Sequence, residues 1–184
     1  MSRSGPGTET ARLRLRPLAP DDLDAIHRVW TDPEVRRYLW DGEEISSEVA
    51  AGVISDSAAS FERTGLGLFA MVLEGQNEPI GFCGFWRFEG RTDFELAYGL
   101  ATPYWGTGLA TEAVRALIHH GFEDLGFERI AASADTPNAA SLRVMQRVGM
   151  RYERRETHEG RDTTYYAISR EDFRATNGPT DEPG

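Results

Sequence analysis

The chain predicts an α/β fold, a mixed sheet of about seven mostly antiparallel strands with helices on both faces. Three observations predict it. In "ATEAVRALIHHGFEDLG", Ala110, Ala113, Val114, Leu117, Ile118, Gly121, Phe122 and Leu125 form an i, i+3, i+4 apolar stripe. The run "GLGLFAMVLEGQNEPIGFCGFWRFEGRTDFELAYGL" is strand-like and broken by "GQNE" and "EGRT", as an antiparallel meander is. Between the two lies "YGLATPYWGTGLATEA", where a strand passes through Gly-Thr-Gly straight into a helix.

The elements follow in order. "RLRLRPL" alternates basic and apolar residues, as a half-buried first strand does. "APDDLDAIHRVWTD" offers Asp caps and then Leu23, Ile26, Val29 and Trp30 at helical spacing. "DPEVRRYL" starts a short helix behind Pro33. "SSEVAAGVISDSAASFERTG" is a longer helix weakened by Gly52 and its serines, with Ala50, Val49, Val53 and Phe61 on one face. Strands are expected at 67–74, 79–88 and 93–100, then the strong helix, then "RIAASAD" as a buried strand. "AASLRVMQRVG" is a helix stopped by Gly149, and "YERRETHEGRDTTYYAISR" a closing hairpin around His158-Glu159-Gly160. Residues 1–10 and 175–184 are small, polar and rich in Pro and Gly, so they are expected as disordered tails around one domain, 11–174.

Composition narrows the class. With 184 residues, 40% of them apolar, the chain can bury a core of one domain. No window approaches the ~18 apolar residues of a membrane helix, and "MSRSGPGTET" lacks the apolar segment of a signal peptide. The single cysteine, Cys83, forms no internal disulfide, and without a Cys/His cluster no metal is expected. A cytoplasmic enzyme or binding protein is the natural reading. All 20 basic residues are arginine, yet the net charge is −10. That balance argues against a nucleic-acid partner and favours a cationic one.

The Gly-Thr-Gly turn carries the chemistry. A helix start displays N–H groups without intrahelical partners and the positive end of the macrodipole. Glycines let that backbone approach an anion, with the amides around Gly106, Gly108, Ala110 and Thr111 and the Thr111 hydroxyl as donors. A plain turn capped by Thr111 is the simplest alternative. A dinucleotide fingerprint fits badly, because Thr111 replaces the third glycine. Its best ribose acid, Asp135, lies 29 residues beyond Gly106, where ~20 is expected. No Lys follows the glycines, which excludes a nucleotide P-loop.

From Glu95 to Met150 the sequence resembles the core of the GNAT superfamily of acyl-CoA-dependent N-acetyltransferases. The "YWGTGLATEA" form, the "N-x-x-S-x-R" segment and the "VGM" ending are similar to the RimJ/RimL group, which acetylates ribosomal-protein N-termini. "LRLRPLAPDDLDAI" and "YYAISREDF" fit the way such chains open and close. The resemblance implies the GNAT fold and acetyl-CoA as acyl donor. The superfamily's pyrophosphate pattern, Gln/Arg-x-x-Gly-x-Gly/Ala, falls on Trp105, Gly106, Thr107, Gly108, Leu109 and Ala110, with Trp105 departing from the first position.

Amide formation needs a base for the amine, donors for the thioester oxygen and a proton for the thiolate. The resemblance implies Glu95 as the base, acting directly or through water, on the apolar strand "FELAYGL". The alternative is a solvent-facing strand residue, and Glu89 and Asp93 read as turn charges. The Leu100 amide is the implied oxygen donor, freed by a strand bulge with which Gly99 is compatible. Many members place a tyrosine where this chain has Met145, so Ser141 is the implied acid and Asn138 a pantetheine contact. Both also suit a helix start, Asn138 as N-cap and Ser141 at N3. Met145 leaves open a second class, a non-catalytic acyl-CoA-binding module.

Glu112 suits the helix start but should point away from phosphates. Arg143 and Arg147 could reach the 3′-phosphate or simply be solvated; His119, His120 and Cys83 read as structural. Trp30, Tyr38 and Trp40 could wall an acceptor slot, with Asp41, Glu43 and Glu44 drawing a cationic amine; equally, these are core and loop surface. The implied acceptor is a protein N-terminus, with a small amine as alternative, and a homodimer is expected by family analogy.

Overall fold

The computed structural model describes residues 7–88, 92–158 and 160–177, which cluster into two compact units, 1–117 and 118–184. The "EGRT" turn, Glu89, Glu159 and the outer parts of both expected tails lie outside or largely outside the described residues.

In the first unit, β1 (Thr8–Glu9), β2 (Leu13–Pro17), β3 (Leu68–Leu73), β4 (Pro79–Trp86) and β5 (Glu95–Leu100) form one sheet in that order, every pairing antiparallel. Thr8–Glu9, expected in a tail, pairs with Arg14 and Leu15. A strand of two residues is too short to show period-two patterning, so the sequence could not mark it.

Period two sorts the sheet into faces. Leu68, Ala70, Val72 and Phe82 join Ile26 and Trp30 of α1 (Leu23–Thr31) and Ala50 and Ile54 of α3 (Ser47–Thr64) in one core cluster. Trp30 is its hub, 1% exposed, with its ring edge-on to Phe82 and to Trp40 at centroid distances of 5.6 and 5.5 Å. On the opposite face Leu15, Phe69, Met71, Cys83, Phe85 and Leu96 are buried as well, so the sheet carries apolar residues on both sides.

α1 begins differently from its sequence. Asp22 sits at its N-cap but makes no side-chain cap bond. Its carboxylate instead receives a two-pronged bond from Arg16 at 2.7 and 2.7 Å and one from the Ala19 N–H at 2.8 Å. The ion pair outcompetes the cap because it is charge-assisted and its carboxylate is buried, Asp22 being 3% exposed. α2 (Pro33–Arg36) starts at Pro33 as expected and is capped by Asp32, which accepts from the Glu34 and Val35 N–H groups.

α4 (Leu109–Glu123) leaves the first unit and ends in the second. There β6 (Arg129–Asp135), β8 (Arg161–Ser169) and β7 (Arg151–His158) form a second antiparallel sheet in the order β6-β8-β7. The single mixed sheet expected is therefore eight strands in two sheets, because β5 and β6 do not pair in the ladders described. α5 (Ala139–Arg147) buries Met145 at 1% exposure, and α6 (Arg170–Asn177) packs Phe173 on Phe122 at 4.8 Å. α6 occupies part of the expected C-terminal tail.

Replacing Asp22 strips Arg16 and the Ala19 N–H of a buried partner. Asp22→Ala is expected to cost about 2 kcal/mol, since one side of the pair stays partly solvated. Urea unfolding should show a lower midpoint with an unchanged slope.

Candidate active site at the end of β5

β5 ends in a corner built from backbone. The Ala101 N–H donates to the Ile80 oxygen at 2.8 Å, which makes that pair hydrogen-bonded and the next pair, Gly81 and Leu100, non-bonded. Both backbone groups of Leu100 therefore point to the edge of β5 away from β4. The indole N–H of Trp105 takes the Leu100 oxygen at 2.7 Å. The Leu100 N–H is left on that edge as the donor the strand offers.

The expected bulge is not how this happens. The β4–β5 register runs without a shift from Gly81–Leu100 to Trp86–Glu95. Gly99 serves packing instead: a Cβ there would lie 2.5 Å from the Phe82 ring. Ordinary ladder alternation turns the Leu100 amide outward.

After β5, a 3-10 turn (Thr102–Tyr104) leads to the glycine loop. Gly106 and Gly108 have φ of 73° and 82°, the left-handed region where only glycine is unstrained. The Thr107 hydroxyl donates to the Tyr104 oxygen at 2.6 Å, closing the turn. The first helical bond of α4 runs from the Glu112 N–H to the Gly108 oxygen at 3.0 Å, so the N–H groups of Leu109, Ala110 and Thr111 precede the ladder. Gly106, Thr107 and Gly108 are exposed, whereas the Leu109 and Thr111 side chains are buried. What this surface presents is main chain.

The Glu112 carboxylate is held by partners of its own. Its carboxylate accepts from the Thr10 hydroxyl at 2.5 Å, the Arg12 N–H at 2.9 Å and Arg12 Nε at 2.7 Å. Burial alone would push this carboxyl up, but the Thr10 and Arg12 hydrogen bonds and the Arg12 charge outweigh it and hold it below the ordinary carboxylate value. Sequence reasoning missed Thr10 and Arg12. The available signal was an acid in the first turn of an anion-facing helix, which calls for a cation elsewhere.

Glu95 opens β5 and is 8% exposed, so the solvent-facing alternative does not hold. Its cross-strand neighbour is Trp86, and the register puts both on the sheet face shared with Ala97, Phe82 and the Trp30 cluster. Trp30 itself is core rather than slot wall. Trp40 packs partly buried on the same cluster, and Tyr38 is half-buried under Arg37, whose guanidinium lies 5.5 Å from its ring centre. Two observations bear on Trp40, and the first sets it apart from Trp30. It and Asp41 have φ of 53° and 57°, a conformation costly for such residues and concentrated at functional sites. Among the described residues the buried indole N–H groups of Trp30 and Trp40 have no acceptor.

The sequence also gave no sign of a cleft of about 250 Å³ in this unit, lined by Arg28, Asp32, Glu78, Ala101 and Tyr104 among others. Thr102 donates to Asp32 at 3.1 Å beside it.

In the second unit, Asn138 caps α5, its side-chain oxygen accepting from the Ser141 N–H at 3.2 Å. Ser141 is half-buried on the first turn, and Arg143 is exposed. Met145 is wholly packed.

Cys83 is 0% exposed and its thiol is pushed up by burial, so no thiolate is available there as an acyl carrier. Ellman's reagent should leave the native thiol untouched and react with it only after unfolding.

With this geometry in hand, comparison with known proteins is specific. The profile of the acetyltransferase (GNAT) domain matches residues 12–151. The chain is 30% identical over 151 residues to the uncharacterized N-acetyltransferase p20 of Bacillus licheniformis, covering 78% of this chain and 82% of that one. It is 28% identical over 170 residues to the uncharacterized N-acetyltransferase YnaD of Bacillus subtilis, covering 89% and 97%. The crystal structure of a GNAT-family acetyltransferase from Bacillus anthracis superposes with a TM-score of 0.75 at 27% identity, over 90% of this chain and 99% of that one.

Proposed function

Because the chain belongs to the GNAT acetyltransferase family, whose members use acetyl-CoA, we propose that acetyl-CoA is held by the Gly106–Thr111 backbone and its acetyl group passed to a primary amine by direct attack. The observation that carries this reading is the β5–α4 corner. Its outward Leu100 N–H and the ladder-free N–H groups of Leu109, Ala110 and Thr111 suit a thioester oxygen and a diphosphate. Trp105 fits beside them, since its indole occupies a carbonyl and leaves the amides for the donor.

In the reaction, the amine nitrogen attacks the thioester carbon as its proton passes to the Glu95 carboxylate, directly or through one water. Charge on the thioester oxygen meets the Leu100 N–H. The C–S bond then breaks as the carbonyl re-forms; the thiolate takes a proton through the Ser141 hydroxyl, which regains one from water as Glu95 returns its own to water. Asn138 and Arg143 contact the donor's pantetheine and 3′-phosphate. The inert thiol of Cys83 favours this direct route over an acyl-enzyme.

The proposed acceptor is a protein N-terminal α-amine, between Trp40, Tyr38 and the acids Asp41, Glu43 and Glu44. The unpaired indole N–H of Trp40 supports it, because a peptide carries a carbonyl oxygen close to its amine and a polyamine carries none. A small amine is the second reading, favoured by the net charge of −10 and by 25% identity over 152 residues to the spermidine N(1)-acetyltransferase of Escherichia coli. The protein acts in the cytoplasm, as a homodimer, in this proposal; no helix among the described residues is long and apolar enough to cross a membrane.

Coenzyme A release, measured against N-terminal peptides, spermidine and amino acids, tests the reaction. Glu95→Gln is expected to lower kcat by about a hundred-fold or more while coenzyme A affinity stays within about two-fold. A wild-type protein that binds acetyl-CoA and acetylates no amine would make it a binding module instead. Gly108→Val, forced into a left-handed conformation, is expected to abolish detectable coenzyme A binding in isothermal titration while the far-ultraviolet spectrum stays native.

A further inference from the structure

The glycine loop is tied to the opposite end of the sheet by one side chain. Arg12, at the turn between β1 and β2, donates through one terminal nitrogen to the Thr107 oxygen at 3.0 Å, across 95 residues of sequence. Its other nitrogens meet the Glu112 carboxylate, Nε and the second terminal nitrogen each at 2.7 Å. The base of this arm is fixed too. Thr10 accepts from the Leu13 N–H at 2.9 Å, and its hydroxyl bonds Glu112, so the turn is braced on the same carboxylate. A Cβ on Gly108 would lie 3.5 Å from the Arg12 guanidinium, which places that group directly behind the loop.

We propose that Arg12 is a positioning residue for the diphosphate of the acyl donor, an inference that rests on acetyl-CoA binding at this loop. The mechanism is peptide geometry. In a trans peptide the C=O and N–H point in opposite directions. Drawing the Thr107 oxygen back onto Arg12 turns the N–H of the same peptide, that of Gly108, outward to the side where the free N–H groups of α4 begin. Without the clamp, glycine on both sides of Thr107 lets this peptide flip at little cost, and the flip would present a carbonyl to an anion. Glu112 holds the guanidinium planar against the loop and cancels its charge. Arg12 thus acts through the peptide it orients and not as a free cation. Lysine cannot replace it, because one ammonium does not supply a fork to both partners.

The test compares Arg12→Met with Arg14→Met, which removes the same charge from an exposed position two residues along β2. Coenzyme A binding is read by isothermal titration, and the Gly108 amide by proton–nitrogen spectra of protein labelled at glycine. Arg12→Met is expected to weaken coenzyme A about ten-fold, with the downfield shift of the Gly108 amide on titration lost. Arg14→Met should weaken it less than two-fold with that shift intact, and Arg12→Lys should recover only part of the loss. Should Arg12→Met unfold, Glu112→Gln, which keeps the backbone acceptor and loosens the fork, is expected to reduce affinity in the same direction. Equal losses for the Arg12 and Arg14 variants would overturn the inference in favour of simple charge attraction. So would an unchanged coenzyme A affinity in Arg12→Met. A wild-type protein that binds no coenzyme A overturns the reading beneath it, and is told apart because the wild-type titration alone reveals it.

Discussion

The bond from the Glu112 N–H to the Gly108 oxygen starts the ladder of α4, and the three N–H groups before it must find partners elsewhere. In most helices a side chain or water serves. Here two of the three positions ahead of the helix, Gly106 and Gly108, are glycines in the left-handed region, and the stretch 106–108 is exposed. The rest of the corner answers to that exposure. Glu112, the one acid in the first turn, is engaged by Thr10 and Arg12, and a carboxylate so bonded does not compete for those donors.

The same economy governs β5. As the last strand of its sheet it has one paired edge, and its other edge alternates outward N–H and C=O groups. An open edge of this kind invites pairing with any extended chain. Trp105 blocks it selectively, taking the Leu100 carbonyl and leaving the neighbouring donor. Its departure from the family's usual Gln/Arg pattern is thereby accounted for. The indole supplies one donor at the right reach and adds a large surface, 47% exposed, beside the loop.

Much of this was legible in the sequence, and the boundary of legibility is physical. Periodicity marks which face of an element is buried, so β3 to β5, α1, α4 and α5 were readable within a few residues. The strand–Gly-Thr-Gly–helix corner was legible because glycine at two positions is a backbone statement independent of distant partners. What periodicity does not encode is which buried faces meet. The split into two sheets, the Asp22 carboxylate leaving its cap for Arg16, and the clamp of Arg12 on a loop 95 residues away all depend on long-range pairing. Gly99 shows a subtler limit: a bulge and a close ring approach both call for glycine, and only the register separates them. Trp40 and Asp41 show another, since neither residue type signals a left-handed backbone.

Net charge raises the remaining question, because a chain at −10 attracting a polyanionic donor looks self-defeating. The corner resolves it by range. Fields of exposed charges are screened beyond about 8 Å at physiological salt, whereas N–H dipoles act at contact. At the loop itself the Arg12 cation is matched by the Glu112 carboxylate, so in the proposed site the anion would meet donors rather than an uncompensated charge. The excess negative charge is then free to act where a cation has to arrive. Around Trp40 the acids Asp41, Glu43 and Glu44 gather on a strained turn, and Glu95 lies buried on the sheet face beneath that cluster. In the proposed reaction a protonated amine would be drawn to that side and lose its first proton to water before attack, and short-range dipoles for the anion with longer-range charge for the cation would keep the two substrates from competing for one field.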